Sequence, residues 1–206
     1  MSMEAGLIVL FEGLDRQAVL EMLDRVIGPP PGERWALEED TADLTAGLGI
    51  PFVDGVIFVR TTPLGFDKLS ILFNQSAFLQ SKEVSLWIMN KLEEVLLELL
   101  ETMNPLFGYL SLYSHPFLFD DDFFMDHIYQ PLRSHQYDKL PWSGPFYYLL
   151  HGAGIDAPLP EQVLTIYQSE KGILYRIDPD DLPYHPNYKT TTQTYTHSHD
   201  PNLLPR

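Results

Sequence analysis

From Val84 to Met103 one apolar stripe runs at helical spacing: Val84, Trp87, Ile88, Leu92, Val95, Leu96, Leu99 and Met103. Glu94, Glu98 and Glu101 sit mainly off it. A one-sided stripe of this length needs another layer to bury it. The spacing predicts a helix from about Ser81 to Met103. Asn104-Pro105 ends it, because the residue before a proline is pushed out of the α region. The chain then enters "LFGYLSLY", residues 106–113, which reads as a strand. A long helix delivered straight into an apolar strand demands a mixed α and β architecture.

The residues before this helix supply the rest of the pattern. Leu7 to Phe11 is a short apolar run and reads as a buried strand. Gly13 ends it, Asp15 can cap a helix, and Val19, Met22, Leu23, Val26 and Ile27 recur at helical spacing. "GPPPG" at 28–32 stops that helix, since proline lacks the amide donor and fixes φ. Residues 33–50 read as an acidic loop with a weak helical turn. "FVDGVIFVR" at 52–60 and "KLSILFN" at 68–74 read as strands, joined into a hairpin by "TTPLGF" with its Pro63 and Gly65. The order strand, helix, strand, strand, helix, strand is that of a ferredoxin-like split βαβ fold: α+β, an antiparallel sheet with two helices on one face. Right-handed crossovers would put the first and third strands at its centre.

Beyond this core, 6–113, an extension over 114–178 completes a single domain, 1–178. Residues 120–135 are expected to form a short helix with Phe123, Phe124, His127 and Ile128 on one side. "GPFYYLL" at 144–150 reads as a further strand, and 163–177 as a hairpin turning near Glu170, Lys171 and Gly172. Residues 179–206, rich in Pro, Thr, His and Asp, read as a loosely packed tail.

Charge narrows the function. The chain carries 29 acidic and 13 basic residues, a formal net charge of -16. Nucleic acid binding needs cations to displace phosphate counterions, so this balance opposes it, and it opposes anionic membranes equally. It favours encounter with a basic protein, or serves solubility alone. There is no cysteine, which removes disulfides, thiolate catalysis and thiolate metal sites. "MSMEAGLIVLFEGLDRQ" has neither a basic leader region nor an apolar run of spanning length. A cytoplasmic location is the expectation.

"NPLFGYLSLYSHPFLFDDDFFMDHIY", 104–129, concentrates the polar chemistry. His115, Asp120, Asp122 and His127 could ligate a divalent ion, and Asp122 and Asp126, four apart, would share a helix face. The spacing is neither that of a calcium loop nor H-E-x-x-H. Carboxylates complementing the positive end of a helix dipole are a simpler account. A patch for a protein partner is the third reading, because aromatics beside acidic loops are common interface anchors. His197, His199 and Asp200 offer a second, weak chelate in the tail. His151 precedes a glycine turn, "GAG", that lacks the rest of any phosphate-binding fingerprint. No G-x-S-x-G elbow appears, and Glu38 and Asp40 lie in a solvated acidic run. No cofactor motif is present.

Two stretches carry a family likeness: "LLELLETMNPLFGYLSL" and "GPFYYLLHGAGIDAPLPEQVLTIYQSEKGILYRI". Pro105, Gly108 and Tyr109 stand in the helix-to-strand junction, then Pro145, Tyr147, Gly152 and the hairpin from Val163. In this outline, over residues 80–177, the chain resembles the immunity protein 52 family of bacterial polymorphic toxin systems. The resemblance implies a non-catalytic cytoplasmic protein that neutralises a cognate toxin by binding it, the toxin being in many cases a basic nuclease. It names no catalytic residue. The expectation is therefore an acidic binding protein, not an enzyme, without cofactor or metal. Its binding region is placed at Asp120, Asp121, Asp122 and Asp126 with Tyr113, Phe123 and Phe124. A metal-dependent enzyme built on the His/Asp cluster at 115–127, and a subunit that pairs as a homodimer, stand as alternatives.

Overall fold

The computed structural model describes residues 4–26, 44–47, 55–74, 82–111, 121–141, 146–159 and 163–177. They form an α+β domain around one antiparallel sheet. Its strands are β1 (Glu4–Phe11), β2 (Leu44–Gly47), β3 (Gly55–Thr61), β4 (Asp67–Asn74), β5 (Phe107–Ser111), β6 (Phe146–Gly152), β7 (Val163–Ser169) and β8 (Gly172–Ile177). They lie in the order β2-β3-β4-β1-β5-β6-β8-β7. α1 (Arg16–Val26) and α2 (Lys82–Met103) connect β1 towards β2 and β4 to β5. After β5 come α3 (Asp121–Phe124), a π-helical turn (Met125–Tyr129) and α4 (Gln130–Arg133).

Local signals explain most of these boundaries. Asp15 caps α1: its Oδ1 accepts from the amides of Gln17 at 3.0 Å and Ala18 at 3.2 Å. The β3–β4 hairpin closes as Thr62 N–H donates to Phe66 O at 2.7 Å, with Gly65 at φ 80°. α2 stops at Met103, and Asn104 takes φ 48°, the left-handed geometry that ends many helices. β2 is a departure from the sequence reading. Leu44–Gly47, expected in an acidic loop, pairs with β3 from Leu44↔Val59 to Gly47↔Val56. Four residues carry too little periodicity to reveal a strand; the exposed edge of β3 selects it.

β1 sits inside the sheet, paired to β4 on one side and β5 on the other. Leu7, Ile8, Val9, Leu10 and Phe11 are all at most 1% exposed. Side chains alternate along a strand, so this run needs cover on both faces of the sheet. Leu7, Val9 and Phe11 pack with Val19 and Leu23 of α1 and with Leu92, Leu96 and Leu99 of α2. Ile8 and Leu10 join a second core with Phe107, Tyr109, Phe124, Ile128, Tyr129 and Leu132. The helices thus fill one face, and the 121–140 segment roofs the other. Among the described residues no helix is long and apolar enough to cross a membrane.

Backbone crowds backbone where the end of β6 passes the junction between α2 and β5. Gly152 faces Gly172 across the β6–β8 pair, and its amide donates to Leu106 O at 2.7 Å. A Cβ at Gly152 would stand 2.0 Å from Pro105 O and 2.9 Å from Leu106 O, both backbone. Gly152→Ala should therefore cost about 2 kcal/mol or more by denaturant unfolding. Gly13→Ala, with nothing within 4 Å of the added carbon, should stay within about 0.5 kcal/mol.

Candidate functional site

The 121–133 helical segment shows how the chain divides one stretch between core and surface. Phe123 and Phe124 are 3% and 0% exposed, whereas Asp122 and Asp126 are exposed. Phe124 lies 5.4 Å from the Tyr129 ring and 6.5 Å from Tyr109 of β5. Phe66 closes the group at 6.1 Å from Tyr129. The ammonium of Lys68, itself buried on β4, stands 4.4 Å over the Phe124 ring. A desolvated cation over an aromatic face is stabilised by roughly 2 kcal/mol.

Pro131 explains the π turn. Lacking an amide, it cannot bond back to residue 127, and its ring crowds that carbonyl. The helix widens just before it: Gln130 N–H donates to Met125 O, five residues back. The wider turn keeps Phe124, Ile128, Tyr129 and Leu132 on the sheet side together.

Of the expected binding region, Phe123 and Phe124 are rings buried in the second core. Their hydrophobic area is spent on the second face of the sheet. Asp122 and Asp126 remain as surface carboxylates. Asp121 opens α3, and Tyr113, His115 and Asp120 lie outside the described residues. His127 is half-buried with its ring 4.6 Å from that of Phe123. Among the described residues no group of three His, Asp or Glu could hold a metal ion. His197, His199 and Asp200, Glu38 and Asp40 also fall outside them.

His151, expected at the edge of a turn, is inside β6 and only 3% exposed. Phe107 stacks on it at 5.8 Å and Tyr175 meets it edge-on at 5.2 Å. Its Nε2 has no hydrogen-bond partner among the described residues. Burial lowers its pKa to about 4, against a smaller opposing pull from the Asp156 carboxylate.

A second surface feature was not read from the sequence. An open groove of about 470 Å³ lies between the end of α1, the outer side of α2 and β7. Val26, Leu97 and Tyr167 line it, with Arg25, Glu98 and Glu101 among its charged residues. Arg25 pairs with Glu98, and the Tyr167 hydroxyl donates to Glu101. Deeper under α2, the Tyr148 hydroxyl donates to Glu93 at 2.7 Å, and Arg176 Nη1 stands 3.6 Å from the same carboxylate. Burial first, then Glu93, push the Tyr148 pKa well up, so this phenol stays a donor. The one hint in the sequence was the lack of any charge in "VLTIYQS", residues 163–169. Which strand of that hairpin forms the sheet edge is a long-range property that local pattern does not carry.

Two measurements check this placement. Phe124→Ala should lose about 3–5 kcal/mol of stability, while Asp126→Asn should change it by about 0.5 kcal/mol or less. Below its ordinary pKa the unfolded chain protonates His151 while the folded chain keeps it neutral. His151 thus contributes stability that is intact above about pH 6.5 and is lost as pH falls towards 4. The loss approaches about 3 kcal/mol. His151→Leu should remove that part, read as the difference between the two stability–pH curves. The chain matches no family model, no curated protein and no solved structure.

Proposed function

We propose that this chain is an acidic binding protein that associates with a basic protein partner, in the manner of an immunity protein that neutralises a toxin in the cytoplasm. The observation that carries the reading is the charge: -16 on 206 residues. Such a surface accelerates encounter with a cationic partner and disfavours anionic ones. Two features support it. Asp122 and Asp126 are held outward by a segment whose aromatic side is buried, so the carboxylates stand on a rigid base. The exposed Glu94 and Glu101 add acidity on the opposite, helical side of the sheet.

We further propose that β3, β4, β1 and β5, with α1 and α2, are a ferredoxin-like split βαβ unit that β6, β8 and β7 extend at one edge; the order β3-β4-β1-β5 supports this. The resemblance to the immunity protein 52 family in residues 80–177 points the same way, and no catalytic group is assigned.

The test is capture of partners from native cell lysate by tagged full-length chain, at low and at moderate salt, with mass spectrometry of the bound fraction. One basic protein at near stoichiometric yield, depleted by salt, is the expected result. Asp122→Asn with Asp126→Asn should slow its association and flatten the salt dependence. Recovery of no basic partner would overturn the proposal.

A further inference from the structure

The sheet ends at β7, which among the described residues pairs on one side only, with β8. Most proteins protect such an edge with charge, because its free amides and carbonyls recruit other strands. Here Val163–Ser169 carries no charge and is rich in β-branched and aromatic residues. Among the described residues its one protection is a bulge between Thr165 and Tyr167. A bulge opposes long, repetitive stacking but leaves short runs on either side able to pair.

Leu164 is 48% exposed, the one exposed large hydrophobic residue among the described ones. It pairs with Arg176, and Tyr167 pairs with Leu174. Leu174 belongs to the helix-side core, and Arg176, two residues on, shares its face. Leu164 and Tyr167 therefore both face the helix side. Tyr167 also forms one wall of the groove that holds Glu94, Glu98 and Glu101 against Arg25 and Lys91. A strand laid beside β7 would place every second side chain over this groove. Arg25 and Lys91 are paired with Glu98 and Glu94, which leaves exposed Glu101, bonded by the Tyr167 hydroxyl and with the Lys171 ammonium on its carbonyl, as the carboxylate a cationic side chain would meet. A second copy of the chain is disfavoured, since it brings another -16.

We infer that β7 is a docking edge for an extended, cationic segment of the basic partner, which adds as a further strand. Main-chain hydrogen bonds to β7 would provide affinity, and Lys or Arg side chains over the groove would provide selectivity. This rests on the proposed binding function and assigns a surface to it.

The probe is a synthetic peptide of about eight residues alternating Lys with Val or Thr, titrated into the full chain and followed through backbone amide resonances. Expected are shifts concentrated in Val163–Ser169, salt-sensitive binding, and no binding of the peptide with Glu in place of Lys. Leu164→Lys should weaken binding about tenfold, and Glu101→Gln several-fold, with melting curves unchanged. Shifts that map elsewhere, affinity indifferent to both variants, or no binding would overturn the inference. So would protection from exchange, in the free chain, of the β7 amides that point away from β8, by a second copy or by the chain's own C-terminal residues. If Leu164→Lys captures the basic partner from lysate as well as the parent chain does, the docking edge is wrong while the binding function stands.

Discussion

Five consecutive residues of β1, Leu7 to Phe11, are buried to within 1% on both sides of the sheet. That constraint organises the molecule. One layer of helices covers one face of a strand only, so Ile8 and Leu10 oblige the chain to supply a second cover. α1 and α2 meet the first need with aliphatic side chains. The second is met by a shorter, irregular segment that substitutes aromatic bulk for length: Phe124 stacks on Tyr109, Tyr129 packs between Phe124 and Phe66, and Phe123 stands edge-on to Phe124. Each such ring buries more area than an aliphatic side chain, so about three turns suffice where α2 uses six.

The division between rings and carboxylates follows. A segment pinned through its aromatic side must turn its polar side to water, and Asp122 and Asp126 are what it presents. Acidity and aromatic content, read together from sequence as an interface, are two sides of one roof. The aromatic side holds the fold and the acidic side faces outward. The same logic separates β7 from the other strands. It lies farthest from β1, and none of its seven residues is fully buried. Interaction is least costly to the fold at that edge.

Much of the fold was legible because its signals are local. Asp15 before an apolar repeat, Pro63 and Gly65 between two alternating runs, Asn104-Pro105 after a long stripe, and Gly172 in a hairpin each act within a few residues. β1 was legible as buried from its unbroken apolar run, though not how many layers it would demand. The rest depended on contacts far apart in sequence. β2 exists because β3 has an open edge. The helical period placed Phe123 and Phe124 on one side with Ile128, but what buries that side, β1 and β5, lies far away in sequence. The burial of His151 depends on Phe107 and Tyr175, 44 residues before and 24 after it in the chain.

Side-chain footprinting of the free chain tests the two-sided roof most directly. Hydroxyl radicals would report Phe123, Phe124 and Tyr129, and carbodiimide coupling would report Asp122 and Asp126. The rings should be protected to the level of Leu7–Phe11, while both carboxylates label as freely as those of the unfolded chain. Oxidation of Phe123 and Phe124 at unfolded-chain rates, with β1 still protected, would contradict the account and return those rings to the surface.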